Sequence, residues 1–170
     1  VTQGCFELYK KTDSTLETFF DKNCSYHNYI AKIFTVLFPE APINIINAGI
    51  SGDSAPGGLK RLERDVLAYH PDLTVVCFGL NDCGGGLDGL KVYADSLRQI
   101  LTKLKENDSE VILMTPNMMN TKISCHIINS GEREFYDTAE HTLKLQTDGV
   151  MDAYVDAAKR VADECGVVIC

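Results

Sequence analysis

The sequence predicts an α/β protein, a three-layer α/β/α sandwich built around a parallel sheet. Four short runs, at 43–48, 73–78, 110–115 and 167–170, are almost continuous in apolar residues. That is the pattern of strands covered on both faces, as in a parallel sheet, and not the alternation of a half-exposed strand. Between the runs lie segments with apolar residues at helical spacing, and this alternation implies right-handed β-α-β crossovers. Length and composition agree: 170 residues suit one ordinary domain, and 45% hydrophobic with 24% charged residues is near the globular average.

The first helical segment, 23–38, aligns Tyr26, Tyr29, Ile30, Ile33 and Leu37 on one stripe and stops at Pro39. A strand is expected over 43–48. The second helix follows Pro56, carries Leu59, Leu62, Val66 and Tyr69, and stops before Pro71; both stops are what proline imposes. After the strand at 73–78, residues 87–107 repeat Leu90, Ala94, Leu97, Leu101 and Leu104, with Lys91, Asp95, Arg98 and Lys105 on the other side. Such a helix lies flat on a sheet. The strand at 110–115 leads into a weakly patterned stretch, 117–146, with a short helix expected near 132–141. Residues 150–165 then place Met151, Tyr154, Val155, Ala158, Val161, Ala162 and Cys165 at one period, before the last apolar run at 167–170. With no internal repeat, low-complexity tract or linker, residues 1–170 read as one domain. The first helix has no expected strand before it and no helix follows the last run, so the segment reads as part of a longer protein.

Several function classes are disfavoured. Sixteen basic against 24 acidic residues give a net charge of −8, a surface that nucleic acid repels. The longest apolar stretch, 73–80, is interrupted by Thr74 and Gly79 and is far short of the roughly 20 residues a spanning helix needs. Seven cysteines, with no C-x-x-C pair, make no disulfide framework. Cys77, Cys165 and Cys170 fall in apolar patterns as small hydrophobes, which favours a reducing compartment such as the cytoplasm. Cys125 and His126 lack a second pair at metal-ligand spacing. The 52–58 segment lacks the Lys and Ser/Thr of a P-loop, and no G-x-G-x-x-G follows a strand. No metal, nucleotide or other cofactor is called for.

In an open parallel sheet, ligands bind beyond the carboxyl ends of the strands. Two loops there stand out: Asn47-Ala48-Gly49-Ile50-Ser51-Gly52-Asp53-Ser54, and Gly79-Leu80-Asn81-Asp82 followed by Cys83, Gly84, Gly85 and Gly86. Gly52 can present its N–H to an oxygen, and the Asn81 amide offers two donors to developing negative charge. Taken singly, each is a turn residue; together, in adjacent loops, they suggest an oxyanion hole. The glycine run can be an anion nest or simply a flexible rim.

These residues resemble the SGNH hydrolases, also called GDSL esterases and lipases. Asn47-x-Gly49-x-x-Gly52 is similar to that family's second motif block, whose last Gly donates its N–H to the oxyanion. Gly79-x-Asn81-Asp82 is similar to the third, whose Asn supplies the other donor. Val1-Thr2-Gln3-Gly4 resembles the stretch just after the nucleophilic Ser of the first block. By that comparison the nucleophile precedes Val1, and the Asp-x-x-His of the fourth block follows Cys170. The resemblance implies a flavodoxin-like parallel sheet in which the family's first strand lies between the strands carrying Gly52 and Asn81, so a gap or strained closure is expected there. It also implies a serine ester hydrolase using an acyl-enzyme, with residues 1–170 alone inactive.

Gly52-Asp53-Ser54 also spells the nucleophile motif. Against Ser54 as nucleophile, Asn47-x-Gly49 fits only the second block, and the spacing from Gly52 to Asn81 suits second-to-third spacing. Asp53 or Ser54 is instead a cap for the helix after Pro56. None of His27, His70, His126 and His141 is placed as a base; Asp137 and His141 stand four apart and precede the last helix. Asp82 is expected to organise its loop. Asn117, Met118 and Met119 follow a strand and either line an acyl pocket or pack. Family substrates include carbohydrate acetyl esters, lysophospholipids and acyl thioesters, with a small-acyl carbohydrate ester favoured here. The alternative is a non-catalytic flavodoxin-like module that holds a small ligand in the same loops.

Overall fold

The computed structural model describes residues 5–10, 15–21, 23 and 25–170, which fall into two compact units, Val1–Ser51 and Gly52–Cys170. In the first unit, strands β1 (Cys5–Lys10) and β2 (Thr15–Phe20) form an antiparallel pair running in register from Cys5↔Phe20 to Lys10↔Thr15. This pair was not expected from the apolar runs. Its signal is shorter: two stretches rich in strand formers, Cys5–Lys10 and Thr15–Phe20. Helix α1 (Tyr26–Leu37) begins after Ser25, which is in extended conformation, and ends at Phe38. Phe38 has left helical geometry at φ −134°, as a residue before proline tends to.

The strand expected at 43–48 does not form. An extended segment becomes a strand only when a neighbour takes its N–H and C=O groups. Residues 43–48 belong to neither sheet, and Ile43, Ile45 and Ile46 are exposed. The expected gap beside that strand therefore has no strand to be measured from.

The second unit has the predicted α/β order. Helix α2 (Ala55–Asp65) leads through a 3-10 turn at Leu67–Tyr69 to strand β3 (Leu73–Val76). Two further 3-10 turns, Asp82–Gly85 and Leu87–Gly89, precede helix α3 (Leu90–Glu106) and strand β4 (Glu110–Leu113). Helices α4 (Cys125–Ser130), α5 (Arg133–Thr147) and α6 (Val150–Cys165) lead to strand β5 (Val168–Ile169). The second helix is shorter than its stripe suggested, because the chain turns at Val66 and carries Leu67 into the core. Conversely, α5 outruns the expected 132–141 segment, and α4 lies in a stretch whose pattern was too weak to show it.

The three strands are parallel, in the order β3-β4-β5, with Val76 beside Leu113 and Leu113 beside Ile169. Both crossovers move the same way across the sheet, so right-handedness puts α3 and α6 on one face. On that face Val76, Val111 and Leu113 are buried, while Leu73, Val75 and Val168 on the other are exposed. The continuous apolar runs thus show alternating burial in these strands, not the two-sided burial expected.

The core between helices and sheet is built from the residues the helical periods selected. Leu97, Leu101 and Leu104 of α3 and Tyr154, Ala158 and Ala162 of α6 are all fully buried. Each buried Leu contributes roughly 1.5–3 kcal/mol through removal from water. Tyr93 and Tyr154 meet at the centre, rings tilted and 5.0 Å apart. Among the described residues no helix is long and apolar enough to cross a membrane. Replacing Leu97 by Ala leaves a cavity between α3 and its neighbours and is expected to cost about 2–5 kcal/mol, read as a lower urea midpoint with an unchanged slope.

Candidate active site

The second unit contains both predicted donors, in loops that its own hydrogen bonds tie together. Gly52 is in a turn at φ +74°. The next residue, Asp53, turns its carboxylate back on its own segment: Oδ1 accepts the Ser54 N–H at 2.9 Å, and Oδ2 accepts Nε of Arg61, two turns along α2, at 2.7 Å. The backbone carbonyl of Asp53 accepts a hydrogen bond from Asn81 Nδ2 at 2.8 Å. A second bond runs the other way, the Ala55 N–H donating to Asp82 Oδ1 at 2.9 Å. The two loops are therefore joined by a reciprocal pair, each giving one donor and one acceptor.

Local chemistry explains the shape of the second loop. Gly79 has φ +124°, and a Cβ there would lie 2.9 Å from Pro116 Cγ and 3.2 Å from the Tyr93 hydroxyl. Only glycine suits that backbone and that space. The Gly79 N–H donates to Asp82 Oδ2 at 2.9 Å, closing the turn, and the buried Cys83 donates its thiol to the Leu80 carbonyl. Tyr93 donates to the Phe78 carbonyl and Tyr154 to that of Gly86, at 3.2 and 2.9 Å. Burial pushes the Tyr93 hydroxyl well above its ordinary range, so it stays a donor. Gly84 and Gly85 thus end the first 3-10 turn, and Gly86, between the two turns, has its carbonyl held by Tyr154.

Asp82 does what its place in the loop suggested, and more. Its carboxylate spans Gly79 N–H and the first amide of α2. Burial pushes its carboxyl above the usual carboxylate range, while the Ala55 and Gly79 N–H groups pull the other way and the charge of Asp53 adds to the rise. Ser54 occupies the N-cap position of α2 at φ −123°, ψ 168°, yet its side chain makes no cap bond. The expected local cap is replaced by Asp82 from the neighbouring loop, because Asp53 is committed to Arg61 and Ser54 N–H.

The other candidates are dispersed. His27 lies beside Ser25 Oγ in the first unit; His70 has a left-handed backbone before Pro71. His126 is the second residue of α4, with its N–H on the N-cap Ser124 Oγ. Asp137 is paired with Arg133, so it does not serve His141 as a dyad. Asn47 accepts the Gly49 N–H within the first unit. Met118 is 73% exposed, whereas Met119 packs against the core with its N–H on Gln146. Among the described residues no His, Cys, Asp and Glu cluster could hold a metal. Of the cysteines read as small hydrophobes, Cys77 and Cys170 are exposed and Cys165 half-buried; among the described cysteines the buried one is Cys83, which that reading did not include. Val1 to Gly4, compared above with the first block, lie outside the described residues. A cleft of about 260 Å³ near Lys105, Ser109 and Glu110 opens at the amino ends of β4 and β5, the edge opposite to where parallel sheets bind ligands.

The polar, glycine-bearing loops thus lie beyond the carboxyl end of a parallel strand, the edge at which open α/β sheets bind their ligands. The chain belongs to the GDSL-like lipase/acylhydrolase family, whose model matches residues 12–170. It is 31% identical to an acetylxylan esterase of Geobacillus stearothermophilus, over 54% of this chain and 46% of that protein. It is also 31% identical to an arylesterase of Vibrio mimicus, over 54% and 48%. The chain thus spans about half the length of the curated relatives it matches. In three dimensions it resembles a catalytic mutant of a Geobacillus stearothermophilus acetylxylan esterase, with a TM-score of 0.62 at 25% identity, covering 85% of this chain and 61% of that one. An acetyl xylan esterase at 21% identity shares the fold with a TM-score of 0.65, over 85% and 66%.

Replacing Asp82 by Ala strips the acceptor from two backbone N–H groups. It is expected to cost about 1–3 kcal/mol, and hydrogen exchange should show faster exchange at the Ala55 and Gly79 amides.

Proposed function

We propose that the protein carrying these residues is a serine ester hydrolase acting on a small acyl ester, with Gly52 and Asn81 as oxyanion donors. The observation that carries this reading is the Asn81 side chain. One N–H of its carboxamide is engaged by the Asp53 carbonyl at 2.8 Å; a carboxamide has a second. That second N–H, on a group whose orientation is already set, is the donor offered to the oxyanion, with the Gly52 N–H supplied from the joined loop. Donors that need no reorganisation as charge develops are worth most.

In the proposed reaction a serine hydroxyl attacks the ester carbonyl, and a histidine oriented by an aspartate takes the proton. The tetrahedral intermediate rests its negative oxygen on the two donors and expels the alcohol, protonated by the same histidine. Water then releases the acid from the acyl-enzyme. The motif resemblance puts the serine, histidine and aspartate outside residues 1–170, and no step calls for a metal or cofactor. The names of the relatives, an acetylxylan esterase and an arylesterase, support a small acyl group, and an acetyl ester of a carbohydrate is the favoured substrate. A net charge of −8 disfavours nucleic acid as a partner. Free thiols, the buried Cys83 among them, support a reducing compartment such as the cytoplasm.

In the complete natural protein, Asn81→Ala is expected to lower kcat on p-nitrophenyl acetate by roughly 100- to 1000-fold with little change in KM. Undiminished turnover would remove Asn81 from the mechanism. A polypeptide of residues 1–170 alone is expected to hydrolyse the ester no faster than its Ser54→Ala variant; a clear excess over that control would make Ser54 the nucleophile.

A further inference from the structure

Asn81 is exposed, and an exposed carboxamide samples several rotamers unless something holds it. Among the described residues its Nδ2 has one acceptor, the carbonyl of Asp53. The direction of that carbonyl is set by the backbone of Asp53, and this backbone is held through its side chain. Both carboxylate oxygens are occupied, Oδ1 by the next N–H along the chain and Oδ2 by Nε of Arg61.

The pair is built into the first turns of α2. Arg61 and Asp53 side chains are 13% and 16% exposed, and Arg61 Nη1 also reaches Asp65 at 3.3 Å. Room for the carboxylate comes from Gly57, where a Cβ would fall 1.9 Å from Asp53 Oδ1. A pair so shielded is less screened than the surface pairs on α3, where Lys91 is 86% exposed. Its geometry reaches Asn81 in three steps, two hydrogen bonds of 2.7 and 2.8 Å with one covalently linked residue between them: guanidinium to carboxylate, carboxylate to its own backbone, carbonyl to carboxamide.

We propose that Arg61 is a positioning residue for the Asn81 carboxamide, acting through Asp53. The proposal rests on the reading of Asn81 as an oxyanion donor. Arg61 touches no reacting atom; it keeps the Asp53 carbonyl aimed so that one amide hydrogen is held and the other faces the substrate oxygen. Lysine keeps the charge at position 61 but has no planar N–H fork, so it restores the function only in part.

The experiment is a double-mutant cycle in the complete natural protein, with p-nitrophenyl acetate as probe. Arg61→Met is expected to lower kcat about 10- to 100-fold, the loss typical of a small misplacement, with KM within about twofold; Arg61→Lys should fall between it and wild type. In an Asn81→Ala background, Arg61→Met should have no further effect, because the group it positions is gone. A merely structural role gives the same fold-loss in both backgrounds, and that additive result overturns the proposal, as does undiminished kcat in Arg61→Met. If Arg61→Met does not fold, as judged by circular dichroism, Asp53→Asn carries the same cycle: it keeps Oδ1 for the Ser54 N–H and puts an amide against Arg61. If Asn81→Ala alone leaves kcat intact, the oxyanion reading fails first, and the positioning role with it; if Asn81→Ala is impaired and the cycle is additive, only the positioning role fails.

Discussion

Two oppositely directed hydrogen bonds, Asn81 to the Asp53 carbonyl and Ala55 to the Asp82 carboxylate, hold the candidate site together. Each loop alone is short and polar, with Gly52 and Asn81 exposed, the kind of segment that opens at little cost. Joined, the start of α2 and the end of β3 become one body. An N–H and a carboxamide 29 residues apart in sequence, at Gly52 and Asn81, then share a fixed frame. Preorganisation of this sort is what allows dipoles to stabilise developing charge without first turning to meet it.

The frame is supported from below. Tyr93 and Tyr154 are 1% and 0% exposed, and each spends its hydroxyl on a carbonyl of the segment that follows β3. A buried phenol must find a partner, and these two find theirs in the loop instead of in the core. The hydrophobic packing of α3 on α6 therefore also sets the height and course of the loop. On the other side, Asp53 and Arg61 anchor the chain entering α2. Residues with no place in the proposed chemistry thus fix the ones that have it.

Much of this was legible in the residues. The stripes of α3 and α6 appear in the sequence because a helix lying on a sheet must repeat its apolar positions near every 3.6 residues, and the observed helix α6 spans the predicted 150–165. Glycine at 52 and 79 marked the turns, and the order of motifs marked Asn81. Other features left weaker traces. The antiparallel β1–β2 pair is carried by short segments without a continuous apolar run. The 43–48 run has the composition of a strand but no neighbour to complete its ladder, and burial of β3 to β5 alternates because α3 and α6 occupy one face.

Composition, period and motif order by themselves determined the α/β class, the main helices and family membership, since these depend on residues a few positions apart along the chain. Only tertiary structure decided that Asp82 also reaches the first amide of α2, and what Asp53 and Arg61 do. Ser54 stands where a cap belongs, and local rules favour it; the acceptor is instead supplied by a carboxylate 27 positions away. Hydrogen bonds between distant segments have no period and no composition, so they become visible only when the fold brings their partners within 3 Å of each other.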